Sequence, residues 1–131
     1  MNLVHMLDAI QKKVARAALE EEMKKREAYQ NHIEQILANI STSATRLIEQ
    51  NYASSEIAPS FTSKGLEVIP SCNDFLSEIE TQYVGIESWE VRSDARGAWN
   101  KFVEGWRKAG ITATLVNRDS LAFIRFTPIH R

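Results

Sequence analysis

The sequence has 131 residues, 44% of them hydrophobic and 25% charged, which is typical of a folded globular protein and excludes a disordered one. The formal net charge of −1 excludes a strong overall field that would attract nucleic acid or an anionic membrane. Cys72 is the only cysteine, so an internal disulfide and a thiolate metal cluster are excluded as well.

The amino-terminal segment predicts neither a signal peptide nor a membrane span, because it lacks both a basic start and a long apolar run. A lone cysteine also fits a reducing compartment. We therefore expect a cytoplasmic protein without a membrane partner.

The first 52 residues predict a long, coiled-coil-like helical segment. Between residues 2 and 52 the chain contains no glycine and no proline, the residues that interrupt helices most strongly. Apolar residues recur there at helical spacing in two series. The first series, which we call the arm seam, consists of Leu3, Leu7, Ile10 and Val14, and Ala17 extends it. The second, the body seam, consists of Tyr29, Ile33, Ile36 and Ile40, and Ala44 and Leu47 extend it.

The stretch LEEEMKKRE, residues 19–27, separates the two seams and carries seven charges in nine positions. Its acidic residues precede basic ones by four positions, an arrangement that stabilises a helix by about 0.2–0.5 kcal/mol per pair. We therefore predict a solvent-exposed helical bridge here. The body seam is out of heptad register with the arm seam, so either the seams face different partners or a short break separates them.

A helix of this length would extend for about 75 Å, farther than the core of such a small chain can cover. One arrangement is a helical hairpin, which folds back near residues 20–28 or at STSAT, residues 41–45, where a hydroxyl would cap a second helix ending at Tyr52. The other is self-association, with each seam buried against another copy. The charged bridge favours self-association, and residues 1–52 are accordingly predicted to be an oligomerisation segment.

The serine-rich residues 53–65 predict a linker, and residues 66–131 a small carboxy-terminal domain. Its first element is a short strand, LEVIP, which Pro70 would end. Residues 71–83 predict a helix with a capping box at Ser71 and Asp74. Residues 87–93 alternate between apolar and polar side chains as a strand does.

Residues 93–110 predict a second helix, with Ser93 or Asp94 as its cap and Gly110 as the left-handed residue after its end. The side chains expected to face the core are Ala98, Trp99, Phe102, Val103 and Trp106. The last two segments, ITATLVN and LAFIRFTPI, predict a β-hairpin around a polar turn. The order βαβαββ predicts an α+β fold, in which the long helical segment precedes a small two-layer domain.

The sequence contains no phosphate-binding loop and no nucleophile motif. His5 and Asp8, three residues apart on the predicted helix, could supply two metal ligands, but two ligands do not make a site. We therefore predict no catalytic site, no metal and no cofactor. Gly97 and Gly105 lie eight residues apart within the second helix and predict close packing against a neighbour. The candidates for ligand or nucleic-acid contact are Arg96, Lys101, Arg107, Lys108, Asn117, Arg118 and Arg125. Acidic residues lie among them, which favours a mixed solvated surface over a phosphate-binding stripe.

These features favour a non-enzymatic, homo-oligomeric interaction protein. Its helical segment would self-associate and its α+β domain would bind another protein. This division of a small chain is typical of accessory or inhibitor proteins of phages and mobile elements. One alternative is a nucleic-acid-binding module that uses the basic face of the last helix and hairpin. Another is a small-molecule or nucleotide binder whose site lies at a subunit interface.

Overall fold

The computed structural model describes residues 2–70, 79–83, 89–118 and 121–129, and it confirms the α+β class. A long helix is followed by strands, a second helix and a carboxy-terminal hairpin. In chain order the elements are α1 (Leu3–Tyr52), β1 (Phe61–Thr62), β2 (Gly65–Val68), β3 (Glu80–Tyr83), β4 (Trp89–Val91), α2 (Arg96–Lys108), β5 (Ile111–Arg118) and β6 (Leu121–Pro128).

Helix α1 is continuous for 50 residues, so the hairpin alternative is wrong at both of its suggested bends. Asn2 caps its start, because its side-chain oxygen accepts a hydrogen bond from the His5 amide at 3.1 Å. The hydroxyls of Thr42 and Thr45 donate to the carbonyls four residues earlier in the same helix, at 3.1 and 2.9 Å. Because these hydroxyls are bonded to carbonyls of α1 itself, they do not cap a second helix.

The charged stretch stays helical, as predicted. Ion pairs join Lys25 to Glu21 at 3.7 Å and Arg26 to Glu22 at 2.8 Å, each four residues apart on the helix surface. All four side chains are exposed, and the pairs support the local helix from its solvent-exposed surface.

The main sheet has four antiparallel strands in the order β1-β2-β6-β5. Strands β5 and β6 pair from Ile111 with Pro128 to Arg118 with Leu121, which confirms the predicted hairpin. Strand β2 confirms the strand predicted before Pro70. It begins at Gly65, inside the predicted linker, where φ is +133° and a Cβ would collide with the carbonyl oxygen of Phe126. Only glycine fits that position without a shift of the sheet.

Strands β3 and β4 form a separate antiparallel pair. Strand β4 lies within the predicted strand over residues 87–93. A helix was predicted over residues 71–83, of which residues 71–78 lie outside the described part of the chain. For the last four residues the prediction is wrong, because Glu80–Tyr83 form β3. Thr81 and Tyr83 are residue types that favour extended backbone. Pairing with β4 satisfies the hydrogen-bonding groups of that backbone.

Helix α2 confirms most of the predicted second helix but not its cap. The capping position is Ala95, which makes no side-chain hydrogen bond. Asp94 instead accepts two hydrogen bonds from the Arg92 guanidinium, at 3.1 and 2.8 Å, and is therefore engaged before the helix begins. Gly110 follows the end of the helix with φ of +84°, as predicted.

The core lies between one face of the main sheet and the two helices. Ala98, Trp99 and Phe102 are buried there, and Val103 and Trp106 are partly buried, so the predicted stripe of α2 is confirmed. The sheet contributes the apolar side chains of its inner face, which are Leu66, Val68, Ala113, Leu115, Ile124 and Phe126.

The carboxy-terminal half of α1 supplies the third wall of this core. Ile33 and Ile40 of the body seam are buried, and Tyr29 and Ile36 pack partly buried against the same cluster. We expected another copy to cover the body seam, but α2 and β2 of the same chain cover it. Residues 29–52 therefore pack in one unit with the strands that follow the predicted linker.

Candidate interaction surfaces

The amino-terminal half of α1, residues 3–28, is the part of the molecule that we call the arm. Every side chain from Asn2 to Ala28 is exposed to solvent. The exposed fractions in the arm seam are 71% for Leu3, 57% for Leu7, 54% for Ile10 and 63% for Val14. These four side chains form a continuous apolar stripe, because spacings of four and three place them on one face of the helix.

The arm seam and the body seam face different directions. At 3.6 residues per turn, the arm seam is rotated about the helix axis by roughly 100° from the body seam. The rest of the chain packs on the body seam and is therefore not aligned with the arm seam.

Another apolar surface lies in a groove between α1 and α2. The groove has a volume of about 550 Å³ and is open to solvent. Phe102 and Trp106 of α2 line it, together with Leu37 of α1. The Trp106 Nε1 atom donates a hydrogen bond to Ser41 Oγ at 3.0 Å and so ties the two walls together.

Small residues keep this groove open. Ala38, Ala98, Gly105 and Ala109 lie along its walls. No heavy atom of the described residues lies within 4 Å of the position where a Cβ on Gly105 would be, so among these residues the close packing predicted for this glycine is wrong. A glycine inside a helix is about 1 kcal/mol less favourable than alanine, and no contact with the described part of the chain explains it here. At Gly97 the nearest atom is Gln30 Nε2, at an ordinary 3.8 Å.

An ion pair between Lys101 and Glu34 borders the same groove. The Lys101 Nζ and Glu34 Oε1 atoms are 3.6 Å apart, and the side chains are 76% and 30% exposed. An exposed pair of this kind contributes about 0–1 kcal/mol. The pair connects α1 to α2 beside the groove, which stays open to solvent.

The basic candidates of α2 are not assembled into one binding face. Arg107 pairs with Glu104 at 2.8 Å, and the Arg96 guanidinium donates to the Val91 carbonyl at 3.5 Å. Lys108 is exposed near the end of the helix. With Lys101 paired to Glu34, the positive charges of this helix are largely matched by local acceptors, which is the mixed surface that the sequence favours.

The candidates on the hairpin are also separated from one another. Arg125 donates two hydrogen bonds to Glu67 Oε2, at 3.1 and 3.0 Å, and both side chains are largely buried, at 15% and 14% exposed. Asn117 is buried, at 9% exposed. Because side chains alternate along a strand, Asn117 lies on the same core-facing side of the sheet as Leu115, and Arg125 lies on the other side. The side chain of Arg118 lies outside the described part of the chain.

Within the described residues, no three His, Cys, Asp or Glu side chains are grouped as metal ligands. Neither α1 nor α2 combines the length and the apolar character that a bilayer crossing requires. Comparison of the chain with protein-family models, with curated proteins and with solved structures gives no match.

Sequence reasoning identified the arm seam but missed the groove. The groove joins residues of α1 to residues about 60 positions later in α2, and periodicity within one segment does not report such contacts. The signal in the sequence was the run of small residues Ala98, Gly105 and Ala109 on one helix beside large aromatic side chains.

Proposed function

We propose that this protein is a non-enzymatic interaction protein that self-associates through the arm seam. The observation that supports the proposal is the exposure of Leu3, Leu7, Ile10 and Val14, each more than half accessible to solvent on one helical face. Burial of one such side chain yields about 1.5–3 kcal/mol. A second copy that covers this face would therefore bind favourably.

The length of the arm also supports a role in association. Most helical stability in proteins comes from tertiary packing. The arm is about 39 Å long at 1.5 Å per residue. Contact with another chain supplies the packing that its own chain does not give it. The body, with its buried core, is then free to present a surface to another protein.

The experiment that tests this proposal measures the solution mass of the full chain by light scattering over a dilution series. The test variant is Leu7→Asp/Ile10→Asp, which places two charges in the arm seam. Its matched control is Ala9→Asp/Ala15→Asp, which adds the same charge to the arm on exposed positions outside the seam. Circular dichroism of all three proteins checks that the body stays folded.

We expect the unmodified chain and the control to associate as concentration rises and the seam variant to remain monomeric. Burial of two carboxylates in an apolar contact is strongly unfavourable, which is the physical reason for the difference. A monomeric unmodified chain at every concentration would overturn the proposal. So would a seam variant that associates as strongly as the control.

A further inference from the structure

The apolar side of the arm is wider than the arm seam over residues 3–18. At 3.6 residues per turn, Val4 lies on one flank of the seam and Met6 on the other. Both side chains are exposed, at 79% and 45%. We call the seam with these two flanks the broad face. It covers roughly 160° of the helix surface, and Gln11 is the one polar residue within it. The seam of a two-stranded coiled coil is narrower.

The charges of residues 3–18 are predominantly positive and lie outside the broad face. They belong to three basic side chains and one acidic one, which gives this segment a net charge of +2, against −1 for the whole chain. Asp8 pairs with Lys12 at 3.1 Å. Lys13 and Arg16 are exposed and form no ion pair with the described residues. The segment therefore presents positive charge beside an apolar surface.

The broad face ends where the charged stretch begins. Glu21 and Glu22 occupy the same side of the helix one turn after Ala18. Residues 19–27 carry four acidic and three basic side chains, so the excess of positive charge ends there as well. Apolar surface and positive charge thus coincide on one segment of about 24 Å.

We propose that residues 3–18 lie along an anionic phospholipid surface. The broad face enters the boundary between headgroups and acyl chains, and the basic side chains lie near the lipid phosphates, as in other basic amphipathic helices. Lys13 borders Met6 on the helix surface, so its aliphatic stem covers apolar area while its ammonium group reaches the headgroups. We expected no membrane partner from the overall charge and the lack of a long apolar run, but a helix that lies on a membrane surface requires neither.

Charge favours lipid over a second arm as the partner of the whole broad face. A second arm carries the same positive charge, whereas anionic headgroups carry the opposite one. A second arm also covers mainly the seam, whereas a bilayer covers Val4 and Met6 as well. This inference goes beyond the proposed self-association and does not rest on it. Since both contacts use the arm seam, lipid and a second copy compete for the arm.

The test sediments the full chain with vesicles of phosphatidylcholine alone and of phosphatidylcholine with phosphatidylglycerol in equal amounts. Protein at the lowest concentration of the dilution series limits competition from self-association. We expect binding to the mixed vesicles to be at least about tenfold tighter than to phosphatidylcholine. Salt at about 0.5 M should weaken it, because salt screens the charges.

Two pairs of variants separate the charge from the apolar flanks. Lys13→Gln/Arg16→Gln should bind the mixed vesicles about tenfold less tightly. Its matched control is Lys24→Gln/Lys25→Gln, which removes the same charge from the charged stretch and should bind like the unmodified chain.

The flank variant Val4→Gln/Met6→Gln should also bind less tightly. Its matched control, Leu19→Gln/Met23→Gln, changes exposed apolar residues of the arm outside the broad face and should have little effect. Circular dichroism of all four variants checks that they stay folded.

The outcomes also separate this inference from the proposed function. If the chain associates in solution but sediments with neither kind of vesicle, a second copy is the partner of the arm and only the proposed function stands. If it sediments with the mixed vesicles but stays monomeric without lipid, this inference stands and the proposed function falls. Equal binding to both kinds of vesicle, or Lys13→Gln/Arg16→Gln binding like its control, would overturn the role of charge and with it this inference.

Discussion

The two halves of α1 have similar apolar patterns and opposite environments. In the body half, residues 29–52, Ile33 and Leu37 are 0% and 2% exposed. In the arm, Leu7 and Ile10 are 57% and 54% exposed. Both halves place apolar residues at helical spacing, and both belong to one uninterrupted helix. An apolar series at helical spacing therefore predicts a surface to be covered. The series does not show whether the same chain or another one covers it.

The position of the other elements along α1 is a physical source of this contrast, because the buried residues of the helix all lie in its second half. Helices, strands and loops can cover only the side of α1 that faces them, and the body seam faces α2 and β2. The charged stretch lets the helix pass from one seam to the other without an apolar face. Its ion pairs, such as Arg26 with Glu22, support the helix locally on its exposed surface.

The largest difference between the two halves is expected from matched leucine truncations. Leu37→Ala should lower the free energy of unfolding by about 2–5 kcal/mol, because it removes a buried side chain and leaves a cavity. Leu7→Ala removes the same atoms from an exposed position and should change the free energy of unfolding by less than about 0.5 kcal/mol. Urea unfolding at a concentration where the chain is monomeric measures both values.

Equal losses in the two leucine variants would contradict the contrast between the halves. A large loss in Leu7→Ala would mean that the arm packs within its own chain. Repeating the measurement at high protein concentration sharpens the result, because self-association would then make Leu7→Ala destabilising as well.

A smaller effect is expected at the bond that joins the body half of α1 to α2. Ser41→Ala removes the acceptor of the Trp106 Nε1–H group and should cost about 0.5–1.5 kcal/mol of stability. The control Ser43→Ala makes the same change at an exposed position of the same helix, two residues along. Thermal unfolding compares the two. A melting temperature of Ser41→Ala that is no lower than that of Ser43→Ala would contradict a stabilising role of this bond, because alanine favours the helix equally at both positions.

The smallest effect is expected within the arm. Glu22→Gln removes the exposed ion pair with Arg26 and should lower helix stability locally by about 0.2–0.5 kcal/mol. Hydrogen exchange at arm amides should become faster, while the amides of the body half keep their rates. Slower exchange in the arm, or an equal change in both halves, would contradict local support of the arm helix by this pair.

The fold was predictable where local signals agree with one another. The stripe from Ala98 to Trp106 and the positive φ at Gly110 follow from helix periodicity and from the conformational freedom of glycine. The β5–β6 hairpin follows from two β-rich segments around a polar turn. At residues 80–83 the local pattern failed, because pairing with β4 outweighed the helical spacing that continues from Phe75 and Ile79.

The candidate surfaces were predictable only in part. The arm seam could be read from spacing alone, because it lies within one segment. The groove could not, since its walls meet through contacts between residues distant in sequence, such as Trp106 with Ser41. The same limit applies to Arg125, a candidate for ligand contact whose position opposite Glu67 on the neighbouring strand makes it a fixed partner inside the sheet.

The sequence by itself determined the long helix, its two apolar seams and the charged stretch between them, because these depend on residues three and four positions apart. Only the tertiary structure decided that the body seam is buried by its own chain, that the arm seam is left exposed, and that Gly105 opens a groove beside α1. Burial depends on which surfaces meet in three dimensions, and these surfaces come from residues far apart in the chain.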